Sequence, residues 1–397
     1  MSKLLLIRQD KPGYVQAALL DDGELLEYYH ETPNNRSKVG DIYRGKVRKV
    51  ASNMQAIFID IGLSELGFLA ARDAGNAAKK HNADLCSLFK EGQIVWVQVT
   101  KDNAASYQGV AKKGLRLTTE LHLETDCVIY FPNNHHVHIS KKIIDHELRE
   151  DLKTELVQEK ARHGIQGGFI VRSIVEQIAK NPHQSWLPNV ETLWQEWQSI
   201  KLSMREAKKS GLIYQTPAIA ARLKGRCYSE KVDRVSFFGL KESFVIDGVE
   251  TENIDAQQIQ KLWEENHIDK QLDVAMHSVV ELAQGGSIVI EQTEALVSID
   301  VNMGSAVHEG LSVLQVNLNA ANLIVRQLRL RNLSGIIIID FIDMDDKSER
   351  KVLFSALKKA CEQGDGYSKV LSYTKLGLIE MTRERTTLSL RQMLDNV

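Results

Sequence analysis

Three consecutive stretches decide how this chain reads: Ala295–Asn302 (ALVSIDVN), Ser312–Asn332 (SVLQVNLNAANLIVRQLRLRN) and Gly335–Met344 (GIIIIDFIDM). The first alternates as a strand does. Leu296, Ser298, Asp300 and Asn302 share one face, and Val297, Ile299 and Val301 share the other. The second carries apolar residues at Leu314, Leu318, Ala321, Val325 and Leu328, the spacing of one helix face. Ser312 stands where an N-cap belongs, and Asn319, Asn322, Arg326 and Arg329 lie off the stripe. The third opens with Ile336–Ile339, an unbroken apolar run that predicts a strand covered on both faces. Strand, helix, strand predicts a crossover between parallel strands.

Ligand sites in such sheets collect at the carboxyl ends of the strands, and Asp300 and Asp340 fall there. Neighbouring strands lie about 4.8 Å apart, and two carboxylates that close repel unless a proton or cation intervenes. With the Asn302 amide oxygen they make an all-oxygen donor set, suited to Mg²⁺ or Mn²⁺. An Asp at a strand end also serves as a helix cap or turn former, and the pattern leaves that reading open. Asp343, Asp345 and Asp346 are expected to start the next helix, since acids lead (DDKSER) and bases follow (SALKKA).

The 397 residues suffice for two or three domains. Hydrophobic content of 43% and charged content of 26% are those of an ordinary globular chain. No apolar run approaches the roughly 20 residues of a membrane helix. The opening MSKLLLIRQDKPG is too short in apolar residues for a secretion signal, so a cytoplasmic location is expected. A net charge of −2 gives no global basic field, so any nucleic-acid surface must be local. Cys86, Cys127, Cys227 and Cys361 show no C-x-x-C spacing, which argues against a zinc site or disulfide framework. His135, His136 and His138 read as a loop or strand edge rather than a metal cluster.

Residues 1–35 read as strands joined by turns, with Asp21-Asp22-Gly23 as a hairpin signal. From 39 to 120, short strands recur with Gly40, Gly45, Gly62, Gly67 and Gly92, as in a small barrel of the OB type. Its first part holds Arg36, Lys38, Arg44, Lys46, Arg48 and Lys49 against one acid, Asp41. Phe58 and Phe68 fall on neighbouring strands, with Tyr43 on the first. Rings beside a basic strip suit single-stranded nucleic acid; the same rings fit equally well in a barrel core. Further on, a charged helix precedes FIVRSI, where Arg172 and Ser173 set a guanidinium fork beside a hydroxyl, a competent phosphate clamp or a solvated surface pair.

These stretches resemble one known family over essentially the whole chain. GGSIVIEQTEALVSIDVN, RQLRLRNLSGIIIIDFIDM and KLGLIEMTRER look like the catalytic core of the ribonuclease E/G family, and DIYRGKVRKVASNMQAIFIDIGLSELGFLAARD resembles its RNA-binding barrel. The resemblance implies an α+β chain of several subdomains. Residues 1–38 and 121–275 would form a ribonuclease-H-like subdomain that includes a 5′-phosphate sensor region. It would be interrupted by an OB-fold barrel at 39–120 and followed by a deoxyribonuclease-I-like catalytic subdomain at 276–397. It implies a Mg²⁺-dependent single-strand endoribonuclease leaving 5′-phosphate and 3′-hydroxyl ends. By similarity Asp300 and Asp340 hold the metal and Asn302 supports the site. Phe58, Phe68 and Lys113 would line the RNA path, and Arg172 and Ser173 would read a 5′-monophosphate. The family's Cys-x-x-Cys zinc link has no counterpart here, since no Cys follows Cys361, so an oligomer is expected to share no zinc. The alternative is a non-catalytic single-stranded RNA-binding protein of the same descent.

Overall fold

The computed structural model describes residues 2–33, 36–75, 88–101, 114–179, 185–216, 223, 226–227, 230–240, 246, 249–307, 310–364, 367–384 and 388–395. The chain divides into two units: residues 1–36 with 232–397, and residues 37–231.

In the first unit, Asp22 and Gly23 both take positive φ (47° and 81°), the backbone that a two-residue hairpin turn requires. They join β2 (Tyr14–Asp21) to β3 (Glu24–Glu31), and β2 also pairs antiparallel with β1 (Lys3–Lys11).

The chain then builds the second unit. β4 (Ile42–Ala51), β5 (Ala56–Asp60), β6 (Gly67–Ala70), β7 (Ile94–Lys101) and β8 (Arg116–Thr118) form a barrel, closed by pairing of β4 with β7. Its core holds Tyr43, Val47, Ile57, Ile59, Leu69, Val97 and Leu117. The walls approach closely at Gly67, where a Cβ would lie 2.3 Å from Leu117 Cδ1 and force that buried side chain to shift. Next come β9 (Leu123–Glu124), β10 (Val128–Phe131), β11 (Val137–Ile139), α1 (His146–His163), β12 (Gly168–Val171), α2 (Val175–Ala179), α3 (Pro188–Glu206) and β13 (Gly211–Tyr214). β13 pairs with β4, and the other strands make a four-stranded sheet in the order β11-β12-β10-β9. Trp194 and Trp197 of α3 pack into its core. The exposed His136 and His138 sit at or beside β11, an edge strand.

Returning to the first unit, β14 (Arg234–Phe238) lies parallel to β1, and β15 (Glu250–Asn253) lies parallel to β14. The sheet order is β15-β14-β1-β2-β3. α4 (Ala256–Glu265) and α5 (Ile268–Met276) cover it through Ile259, Trp263, Ile268 and Leu272. A six-stranded sheet follows, in the order β16-β17-β18-β19-β21-β20. Its strands are β16 (Val279–Glu281), β17 (Ser287–Gln292), β18 (Leu296–Asn302), β19 (Gly335–Asp340), β20 (Ser368–Tyr373) and β21 (Ile379–Arg383). α6 (Val313–Leu330) connects β18 to β19, α7 (Lys347–Gln363) precedes β20, and α8 (Leu390–Asp395) follows β21. No helix among the described residues is long and apolar enough to cross a membrane.

Two expectations need correcting. β19 is fully covered on one face, where Ile337 and Ile339 are buried under the helices, and only partly on the other, where Ile336 is 53% exposed and Ile338 half-buried. Four isoleucines in a row cannot distinguish one covered face from two. The buried arc of α6 is also rotated and widened relative to the expected stripe. It centres on Val316, Ala320, Ala321, Ile324 and Leu328, while Leu314, Leu318 and Val325 are half-buried. The arc takes in Asn317, Gln327 and Arg329, which an apolar count leaves out, because each finds a partner. Asn317 bonds the Ile342 backbone, Gln327 accepts from Arg331, and Arg329 pairs with Glu27 of β3 at 2.8 Å.

A candidate active site at the carboxyl ends of two parallel strands

The site follows from strand register. β18 and β19 are parallel neighbours in which Leu296 faces Ile336, Ser298 faces Ile338 and Asp300 faces Asp340. Alternation sends Val297, Ile299 and Val301 into the core and leaves Asp300 and Asn302 exposed, and Asp340 is exposed beside them. Both aspartates therefore stand on one face, on adjacent strands, in direct register. Asn302 donates from Nδ2 to Asp300 Oδ2 at 2.9 Å, which ties the third residue to the first. The strand end is set by close backbone approach: Gly286 has φ +91°, and a Cβ there would lie 2.8 Å from the Asn302 carbonyl oxygen.

The electrostatics show an uncompensated acid pair. Partial burial first, then the charges of Asp300 and Asp343, hold the Asp340 carboxyl above its ordinary range. Among the described residues no group of three or more His, Cys, Asp or Glu side chains is arranged to hold a metal ion. The donor set is two carboxylates plus an amide. It fits a hard divalent cation, because the donors are all oxygen and the carboxylates repel without one.

Sequence reasoning missed how the loop after Asp340 is held. Asn317, fully buried in α6, donates from Nδ2 to the Ile342 carbonyl at 2.8 Å and accepts from the Ile342 N–H at 3.1 Å. Arg350 Nε donates to the Met344 carbonyl at 2.6 Å. Together they fix the segment that carries Asp343 beside Asp340. The only signal was a polar residue on the buried arc of a helix, and it could be seen only once the arc was placed correctly. Asp346 is the N-cap of α7, accepting from Ser348 N–H at 2.7 Å, as its position suggested.

In the barrel, Phe58 and Phe68 are direct partners on β5 and β6, and their rings meet edge to face with centroids 5.9 Å apart. Both are half-buried and neither belongs to the barrel core, whereas Tyr43 does. The outward rings have basic neighbours: Lys49 faces Phe58 and Arg116 faces Phe68. Arg48 is engaged by Asp60 at 2.5 Å. Gly62 N–H, first, and Arg48 hold the Asp60 carboxyl below its ordinary range. Lys113 lies outside the described residues.

Arg172 and Ser173 follow β12. The Arg172 N–H donates to the Cys127 carbonyl at 2.8 Å, and Nη1 donates to the Thr125 carbonyl at 3.2 Å. The guanidinium stays 45% exposed and Ser173 half-buried beside it.

The model of the Ribonuclease E/G family matches residues 122–386. Ribonuclease G of Escherichia coli (strain K12) is 33% identical over 97% of this chain and 80% of its own length. Ribonuclease G of Salmonella typhimurium (strain SL1344) is 32% identical over the same shares. Ribonuclease E of Haemophilus influenzae is 28% identical over 98% of this chain and 42% of its own length.

Proposed function

Because the chain belongs to the ribonuclease E/G family and is an endoribonuclease, we propose that it hydrolyses single-stranded RNA at Asp300 and Asp340 with a bound divalent cation. The carrying observation is the register of the two carboxylates on one exposed strand-end face. The strand order β3-β2-β1-β14-β15, antiparallel then parallel, supports a ribonuclease-H-like first subdomain. The barrel supports an OB-type RNA-binding subdomain, and the acidic six-stranded sheet supports a deoxyribonuclease-I-like catalytic subdomain.

Asp300 and Asp340 would hold Mg²⁺, with Mn²⁺ as a substitute. When bound, the ion supplies charge neutralisation at the scissile phosphate and lowers the pKa of a water. Asn302 keeps the Asp300 carboxylate turned to the shared face through its 2.9 Å hydrogen bond. Asn317 keeps the loop after Asp340 in place. Hydrolysis breaks the bond from phosphorus to the 3′ oxygen and leaves 5′-phosphate and 3′-hydroxyl ends. The protein's part is mostly positioning and electrostatics, so few side chains suffice.

Phe58 and Phe68 stack on unpaired bases, which requires single strands. Lys113 would neutralise phosphates along that path. Arg172 and Ser173 read a 5′-terminal monophosphate through the guanidinium fork and the hydroxyl. The enzyme would act in the cytoplasm.

The test is single-turnover cleavage of a 5′-monophosphorylated, A/U-rich single-stranded RNA in Mg²⁺. Wild type is run beside Asp300→Asn and Asp340→Asn, with end mapping of the products. Cutting by wild type alone, abolished by EDTA, supports the reading. Equal cutting by either variant, or 5′-hydroxyl products, overturns it. Tight binding without cutting, in Mg²⁺ and in Mn²⁺, points to a pure RNA-binding protein.

A further inference from the structure

The turn that holds Arg172 supplies anions of its own. β9 ends at Glu124, and Thr125, Asp126 and Cys127 then lead into β10. Glu124 Oε2 lies 3.6 Å from Arg172 Nη1, the same nitrogen that donates to the Thr125 carbonyl. The two side chains are 57% and 45% exposed. Asp126 is half-buried in the same turn and feels both charges. Burial lifts its carboxyl to about 6, with Arg172 opposing and Glu124 adding to the rise. One cation thus faces two carboxylates before any substrate arrives.

That arrangement bears on what Arg172 can read. A terminal phosphate carries a charge of about −1.5 to −2 and three acceptor oxygens, and an arginine fork can give it two parallel hydrogen bonds. A phosphate taken end-on through Nη1 displaces the Glu124 carboxylate, and one taken side-on through Nε and Nη2 is bound with that carboxylate still 3.6 Å from Nη1, close enough to repel it. An ion pair this long and this exposed is weak and exchanges readily, so Glu124 competes with the phosphate without excluding it. The repulsion from this carboxylate then acts directly on the bound phosphate.

We infer that Glu124 is a specificity-determining residue. As the resident anion on Arg172 it competes with the 5′-terminal phosphate of an RNA, and so limits how strongly a phosphorylated end is preferred over a hydroxyl end. This rests on the reading of Arg172 and Ser173 as the end-sensing pair. Glu124 touches no reacting atom. It is a positioning residue that acts through Arg172, and removing it sharpens end preference.

The experiment measures kcat and KM for one single-stranded RNA sequence with a 5′-monophosphate or a 5′-hydroxyl end. It uses the full chain and the variants Glu124→Gln, Glu124→Asp, Arg172→Ala and Arg172→Ala/Glu124→Gln. In Glu124→Gln the ratio of kcat/KM, phosphate over hydroxyl, rises about two- to fivefold, the range of an exposed ion pair. The change falls on the KM of the phosphorylated RNA. Glu124→Asp, which keeps the charge, stays near the wild-type ratio, and the Gln substitution has no effect once Arg172 is alanine. If Arg172→Ala brings the ratio toward one while Glu124→Gln leaves it where it was, or shifts both RNAs by the same factor, the role of Glu124 is refuted and the end-sensing reading stands. If Arg172→Ala keeps the wild-type ratio, the end-sensing reading itself fails, and this inference goes with it.

Discussion

Asn317 offers the sharpest test of how the fold builds the site. Its side chain makes two hydrogen bonds to one residue, Ile342, at 2.8 and 3.1 Å, from a position with no solvent exposure. Asn317→Ala removes both and leaves the Ile342 N–H and carbonyl facing an apolar helix. Two bonds at a net of about 1 kcal/mol each, with part of the penalty for unsatisfied backbone groups, give a local loss of about 2–4 kcal/mol. Asn317→Asp is the more telling change. It keeps an acceptor for the Ile342 N–H but turns a carboxylate oxygen toward the Ile342 carbonyl, in a place where a charge has no partner. The loss should equal or exceed that of alanine, although aspartate is nearly isosteric. Amide exchange across residues 340–344 reads the local stability, and single-turnover RNA cleavage reads the site. Exchange should accelerate by about 30- to 1,000-fold, the equivalent of that loss. Cleavage should fall on the order of 100-fold, the usual effect of a misplacement near 1 Å. If both variants show exchange within a few-fold of wild type and cleave normally, Asn317 does not anchor the loop and the reasoning is wrong.

Other outcomes follow from the same contacts. The Asp340 carboxyl is raised in the folded state, so without metal the unfolded chain releases this proton first as pH rises, and the carboxylate costs stability above the ordinary aspartate range. Asp340→Asn should therefore raise metal-free thermal stability at pH 7 and not at pH 3, and should remove the stabilisation that Mg²⁺ gives wild type in a thermal melt. Phe58→Ala should weaken single-stranded RNA binding by about 1–3 kcal/mol, the worth of one stacked base. Since the ring lies outside the barrel core, the melting temperature should hardly move, and a large drop would mean that the ring is structural. Arg329→Met leaves the buried Glu27 carboxylate with the hydrogen bond from Tyr29 Oη but without its cation, and should cost about 3–5 kcal/mol in chemical unfolding, with Glu27→Leu added on top recovering most of it. A single variant as stable as the double one would show that the pair is not buried in effect.

Much of this was readable in the chain and some was not, for identifiable reasons. Alternation in ALVSIDVN fixed which side chains face together, and the Asp-Gly turn and the Ser312 cap read true because each depends only on local backbone chemistry. The pairing of Asp300 with Asp340 needed only that the strands be parallel neighbours. What failed depended on partners distant in sequence. Arg329 lies off the apolar stripe in sequence, and nothing nearby shows that Glu27, 302 residues earlier, neutralises it on the buried arc. The run Ile336–Ile339 predicts two covered faces because an apolar side chain does not report whether a second layer exists. Phe58 and Tyr43 looked alike in the sequence, and the barrel's inside-out alternation separates them only after closure.

The insertion of one unit within the other bears on how the protein is made. Lys3 N–H donates to the Asp233 carboxylate at 2.7 Å across 230 positions of sequence, and β1 waits equally long for β14. On a growing chain, β1, β2 and β3 emerge early with a sheet edge unfilled. Residues 37–231 are contiguous and hold their own cores, so they can condense as soon as they are out. Doing so replaces much of a flexible loop by a folded body in which β4 and β13 are already paired, and it removes part of the closure entropy that β14 would otherwise face. Synthesis order and fold order then disagree: the first strands translated are among the last to be completed. A ribosome paused just as residue 231 clears its exit tunnel would hold a finished inner unit and an incomplete amino-terminal sheet of β1, β2 and β3, open to pairing with the wrong chain.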